Sequence, residues 1–160
     1  MIKINLICVG RLKEKYFAEA CKEYEKRLGR YCSLTVIEIG EYRLPQSPSR
    51  ENIRAALEKE ASAIRARIPR GSKVIAMCSE GEKCDSVEFS GIIMSSPVQG
   101  FPCLTFLIGG SHGLDEGLKR AADMRLSMSD MTFAHHLARV MLLEQIYRSF
   151  KIAEGSGYHK

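Results

Sequence analysis

Apolar positions along the chain alternate between two periods, one near two and one near three and a half. Ile2 to Val9 is a β-rich apolar run closed by Gly10 and predicts a buried strand. From Lys13 to Leu28, Phe17, Ala20, Cys21, Tyr24 and Leu28 recur every three or four positions, one helix face that Gly29 stops. Leu34 to Ile39 predicts a second strand, and Gly40, Pro45 and Pro48 make the next ten residues a loop. Ser49 or Ser47 caps a helix carrying Ile53, Leu57, Ala61, Ile64 and Ile68, which Pro69 and Gly71 end. Lys73 to Cys78 reads as a strand, Ser79 to Gly81 as a turn, and Ser86 as the cap of a short helix burying Phe89, Ile92 and Ile93. Cys103 to Ile108 is a strand framed by Pro102 and Gly109. Leu114 to Ala122 reads as a short helix, Arg125 to Ser129 as a short strand or extended loop, and Phe133 to Ala153 as a long amphipathic helix. The last six residues carry no periodicity.

Strands alternating with helices predict an α/β fold: one mostly parallel sheet with helices on both faces. The ligand of such a sheet sits at the carboxyl ends of its strands, which directs attention to the loops after Cys78, Ile108 and Ser127. No repeat, low-complexity block or second domain interrupts the 160 residues, so the whole chain reads as one domain.

Composition adds little. Hydrophobic residues at 45% and charged residues at 27% are a globular balance. Lys plus Arg (24) exceeds Asp plus Glu (19) by five, compatible with an RNA-facing surface without requiring one. The six cysteines have no zinc-knuckle or redox-motif spacing. Without a secretory signal or a membrane-length apolar run, the chain is expected to be cytoplasmic with reduced thiols.

Four constellations could carry chemistry. Leu107-Ile108-Gly109-Gly110-Ser111-His112-Gly113-Leu114 runs a strand into glycines, which lets backbone N–H groups approach a ligand or simply forms a tight turn. It matches neither the dinucleotide fingerprint nor a P-loop. Leu126 to Phe133 mixes hydroxyls with Met128, Met131 and Phe133, fit for an adenine edge against an apolar wall or for capping the last helix. His135 and His136 are adjacent and so diverge by about 100° on a helix, which disfavours a shared metal; no metal site is expected. Arg139 and Arg148, with Tyr147, Lys151, Tyr158, His159 and Lys160, interleave cations with aromatics, a pattern that grips phosphates and stacks on bases or is a solvated helix face.

Taken in order, these residues resemble a known family. The run Ile7 to Tyr16, Tyr24 to Leu28, Phe106 to Gly110 with Gly113-Leu114, and Leu126 to Ser129 carry the likeness. So do Met131 to Phe133 with His135, Arg139-Val140, Glu144-Gln145 with Tyr147-Arg148, and Tyr158 to Lys160. The chain resembles the small SPOUT-class methyltransferases of the RlmH type, which act on pseudouridine in large-subunit ribosomal RNA. The resemblance implies a C-terminal trefoil knot, S-adenosyl-L-methionine as methyl donor, and a homodimer with active sites at the subunit interface. It implies as substrate N3 of a pseudouridine in a 23S rRNA hairpin loop of the assembled ribosome. Carried over, the cofactor positions are Met77, Gly109, Met128, Ser129, Asp130, Met131, Thr132 and Phe133. His135, Arg139, Tyr158, His159 and Lys160 are expected around the target base. Ala134 departs from the Pro that many members carry, and Ser111 and His112 fall at variable positions. Two other classes stay open on the residues alone: a nucleotide-binding regulatory module without catalysis, and a structural ribosome-associated dimer.

Overall fold

Alternation along the inner strands divides the hydrophobic residues between two cores. In β1 (Ile2–Val9), Ile4, Leu6 and Cys8 point to one face and Ile7 and Val9 to the other. In β4 (Leu104–Ile108), whose five residues are all buried, Leu104, Phe106 and Ile108 join the first face and Leu107 the second. Full burial of each such side chain is worth about 1.5–3 kcal/mol.

The computed structural model describes residues 1–160. The remaining elements are α1 (Lys15–Leu28), β2 (Cys32–Ile39), α2 (Arg50–Arg65), β3 (Lys73–Lys83), α3 (Ser86–Ser95), α4 (Glu116–Ala121), β5 (Met124–Ser127) and α5 (His135–Ala153). The five strands form one sheet in the order β2-β1-β4-β3-β5, every pair parallel, with Ile4 opposite both Leu34 and Leu104. The α/β architecture expected from the sequence is therefore present. The larger core joins the sheet to α1, α3 and α5; the smaller packs Ala61, Ile64 and Leu118 of α2 and α4 on the other face. Leu142, Leu143, Ile146 and Phe150 are the buried stripe of α5, and Ser90 of α3 donates to the Ser149 carbonyl at 2.8 Å. No helix is long and apolar enough to cross a membrane.

Several boundaries differ from the sequence reading, each for a local reason. The expected turn at Ser79 to Gly81 is instead a bulge inside β3: Met77 and Glu82 both pair with Leu126, and the residues between them loop out. Gly81 permits this, because a Cβ there would stand 2.5 Å from the Leu126 carbonyl carbon. Asp85, not Ser86, caps α3. Its carboxylate accepts from the Val87 and Glu88 N–H groups while Glu88 returns the favour to the Asp85 N–H. Ser86 instead donates to Gln145 of α5. Ser49, rather than Ser47, caps α2, in a capping box with Asn52. Asp115 caps α4, which is shorter than the Leu114 to Ala122 span. α1 starts at Lys15, β2 at Cys32, β5 ends at Ser127, and α5 starts at His135 after an extended Ala134 with no side-chain cap.

Candidate active site

A cavity of about 680 Å³ opens at the carboxyl ends of β3, β4 and β5, the edge where the strand order predicts a ligand. Met77 and the bulge at Ser79 and Glu80 form one wall; Gly109 to Leu114 form another. Met128, Ser129 and Met131 to Phe133 form a third, and His135 and Ala138 of α5 complete it. Seven of the eight expected cofactor positions thus meet in one place. The eighth, Asp130, is not in the lining and forms an ion pair with Lys83.

The glycine loop is both a tight turn and a cavity wall. Gly113 takes φ +75° and its N–H donates to the Gly110 carbonyl at 3.0 Å. A Cβ on Gly109 would lie 2.3 Å from the Gly113 carbonyl oxygen. The loop's own fold therefore demands glycine at 109, independently of any ligand. Ser111 Oγ donates to Glu41 Oε1 at 3.0 Å, tying the loop to the chain after β2.

The segment after β5 is irregular. Ser127 Oγ donates to the Ser129 carbonyl at 2.9 Å, and Ser129 Oγ accepts from the Met131 N–H at 3.0 Å. Ser129 thus closes a local turn and caps no helix. Residues 128–133 make no backbone–backbone hydrogen bond, so apart from the Ser129 carbonyl and the Met131 N–H, which those hydroxyl bonds engage, their N–H and C=O groups have no partner within the chain. Met131 is 71% exposed, an apolar side chain held out beside the cavity.

His135 lines the cavity. Its Nε2 is buried without a hydrogen-bond partner, facing Gly10 near Glu41. Burial and then the neighbouring His136 push its pKa below the usual histidine value, while His136 Nδ1 lies 3.1 Å from Glu14 Oε2. Arg139, one turn further on, is only 4% exposed and does not reach the cavity. Its guanidinium donates to Glu38 Oε1 at 2.7 Å and to the Gly10 carbonyl at 3.0 Å.

The tail goes elsewhere within one chain. Tyr158 OH donates to Glu144 Oε1 at 3.2 Å, its ring meets Tyr147 at 5.2 Å, and the Arg148 guanidinium lies 4.8 Å from the ring centroid. Burial, followed by the Glu144 charge, pushes the Tyr158 phenol up to about 12. Glu144 is nine residues along α5 from His135, roughly 13 Å at 1.5 Å per residue. It lines a second cavity of about 540 Å³ with Tyr24, Phe89 and Met141, sharing the Met77 and Met128 wall with the first. His159 and Lys160 are exposed at the end of the tail.

The remaining candidate chemistry is quiet. The thiols of Cys8, at about 12, and of Cys21 and Cys32, at about 11, are raised chiefly by burial and stay protonated. No three His, Cys, Asp or Glu side chains are grouped to hold a metal ion. What sequence reasoning missed is polar: Glu38, Glu41, and the cavity-lining pair Glu80 and Lys119, which are bound to each other across 39 positions. No periodicity or spacing connects residues so far apart.

The family model described as "Predicted SPOUT methyltransferase" matches residues 2–159. The chain is 43% identical over 159 residues to "Ribosomal RNA large subunit methyltransferase H" of Streptococcus pyogenes serotype M5 (strain Manfredo), covering 99% of this chain and 100% of that protein. The protein of the same name from serotype M12 (strain MGAS2096) is equally similar, 43% over 159 residues with the same coverage. Among solved structures, a probable methyltransferase from Bordetella pertussis Tohama I aligns with TM-score 0.60 and 10% identity, over 92% of this chain and 94% of that one. A probable methylase family protein from Haemophilus influenzae Rd KW20 aligns with TM-score 0.53 and 13% identity, over 99% of this chain and 70% of that one. At such identities the two structures speak for the fold alone.

Proposed function

Because the chain belongs to the SPOUT methyltransferase family, we propose that it methylates N3 of a pseudouridine in a 23S rRNA hairpin loop of the assembled ribosome, using S-adenosyl-L-methionine. The observation that carries this reading is the single cavity gathering Met77, Gly109, Met128, Ser129 and Met131 to Phe133 at three parallel strand ends. The residues fit such a donor: the backbone groups over 128–133 that have no partner within the chain suit an adenine edge, and methionine and phenylalanine supply an apolar wall. When bound, the donor supplies an electrophilic methyl group on a sulfonium.

The chain's own residues do the rest. An imide nitrogen must lose its proton to become nucleophilic, and His135, neutral at pH 7 through burial, is the cavity's proton acceptor. Arg139 acts as a positioning residue, fixing the start of α5 against Gly10 and Glu38. Tyr158 keeps its proton and serves as a donor rather than a base.

The same reading has the protein work as a homodimer in the cytoplasm. The tail's docking on Glu144, about 13 Å along α5 from its own His135, supports Tyr158, His159 and Lys160 serving the partner's active site. The knotted C-terminal half belongs to the same proposal.

Truncation after Gly155 tests the reading. Methylation of ribosomes should be lost while calorimetry still registers S-adenosylmethionine, but neither ATP nor NAD. Full activity without the tail, or preference for ATP or NAD, would sink it.

A further inference from the structure

The methyl-donor cavity contains one carboxylate and one primary ammonium, and they belong to the same ion pair. Among its lining residues Glu80 is the only acid and Lys119 the only lysine or arginine. Glu80 stands on the β3 bulge and Lys119 on α4; the two side chains are hydrogen-bonded, 46% and 13% exposed respectively. The hydrogen bond from Lys119 holds the Glu80 carboxyl below the usual range. Burial pulls the Lys119 ammonium down, but hydrogen bonds to Glu80 and Glu116 outweigh it and hold the group above its ordinary value. Both groups are therefore charged at neutral pH.

We propose that Glu80 and Lys119 form the subsite for the amino-acid end of the methyl donor, Glu80 receiving its α-ammonium and Lys119 its α-carboxylate. This rests on the reading of the cavity as a methyl-donor site. An α-amino acid carries one charge of each sign on adjacent atoms, the complement of a carboxylate and an ammonium already held side by side. Insertion of the zwitterion turns one ion pair into an alternating set of four charges. The exchange strands neither protein group. Lys119 retains Glu116 at 2.9 Å, and Glu116 in turn has Arg125 at 3.9 Å. The bulge that presents Glu80 exists because Gly81 lets the backbone of β5 pass. A purely structural latch between bulge and α4 would explain the pair as well, and ligand chemistry separates the two.

The test is calorimetry on the full chain with S-adenosylhomocysteine and with 5′-methylthioadenosine, which keeps the nucleoside and thioether but lacks the amino-acid end. The unaltered protein should bind S-adenosylhomocysteine at least about tenfold more tightly than the truncated ligand, a charge-assisted contact being worth that much. Glu80→Gln and Lys119→Gln should each weaken S-adenosylhomocysteine roughly tenfold and leave 5′-methylthioadenosine within about twofold. Equal affinity of the unaltered protein for both ligands overturns the subsite, and that comparison needs no variant to fold. Equal losses for both ligands in the variants also overturn it, in favour of the latch. Binding of neither ligand to the unaltered protein overturns the methyl-donor reading itself.

Discussion

His135 and Arg139 stand one turn apart on α5 and both address Gly10, yet they do different work. Gly10 takes φ +90°, offers its carbonyl to Arg139, and leaves room beside the His135 Nε2. Arg139 is locked in the interior, so its removal should register first as stability. Arg139→Met leaves Glu38 and the Gly10 carbonyl without their donor, and a loss of about 1–3 kcal/mol in urea unfolding is expected. Unchanged stability with abolished methylation would instead mean that Arg139 touches substrate. His135 gives a pH signature. Its folded pKa lies below the unfolded value of 6.5, so its contribution is complete above that pH and is lost as pH falls below it. The groups facing it, His136, Glu41, Arg139 and Glu14, act on the same proton. Glu60, whose carboxyl burial raises, works in the opposite direction and is common to wild type and variant. His135→Asn should therefore lose less melting temperature than wild type between about pH 7 and pH 5.5. An identical decline would remove the buried neutral imidazole from the account.

At the scale of elements, what could be read from the sequence was what periodicity controls. Four strands and five helices follow from apolar spacing, because a strand alternates at two and a helix face recurs every three or four residues, while Arg125 to Ser129 reads equally as a short strand or an extended loop and is β5 in the structure. The ends were less legible. Ser86 looked like the cap of α3 because serine caps helices in general. Asp85 takes the position because its carboxylate reaches two N–H groups while Glu88 answers it. The β3 bulge was invisible because it depends on β5 arriving 45 residues later against Gly81. Ala134 offers a prediction at this scale. Its φ of −57° is the angle proline fixes, its N–H makes no backbone bond, and α5 starts there without a side-chain cap. Ala134→Pro should stabilise the protein by about 0.4–1 kcal/mol by restricting the unfolded chain. Destabilisation in thermal melting would show that the extended Ala134 is not the rigid start of α5.

For the whole molecule, the candidate site was legible as segments and illegible as a constellation. The glycine loop and the stretch from Met128 to Phe133 were visible because strand ends in parallel sheets are where ligands sit. Which side chains face the same space depends on threading. Glu80 and Lys119 meet inside the cavity, Arg139 turns away from it, and the tail lies at a neighbouring cavity. The net charge of +5 is small for gripping naked RNA, whose affinity depends on neutralised phosphates. Under the proposed function, recognition leans on the shape of a preassembled target. The most direct measurement uses labelled S-adenosylmethionine with intact ribosomes from cells lacking this protein, and with the naked 23S hairpin. Mass mapping of the modified nucleotide follows. The account predicts one methyl group on N3 of a single pseudouridine in intact ribosomes and little on the naked hairpin. Absence of any label in ribosomal RNA, a methyl group on another nucleotide, or efficient methylation of the bare hairpin would contradict it.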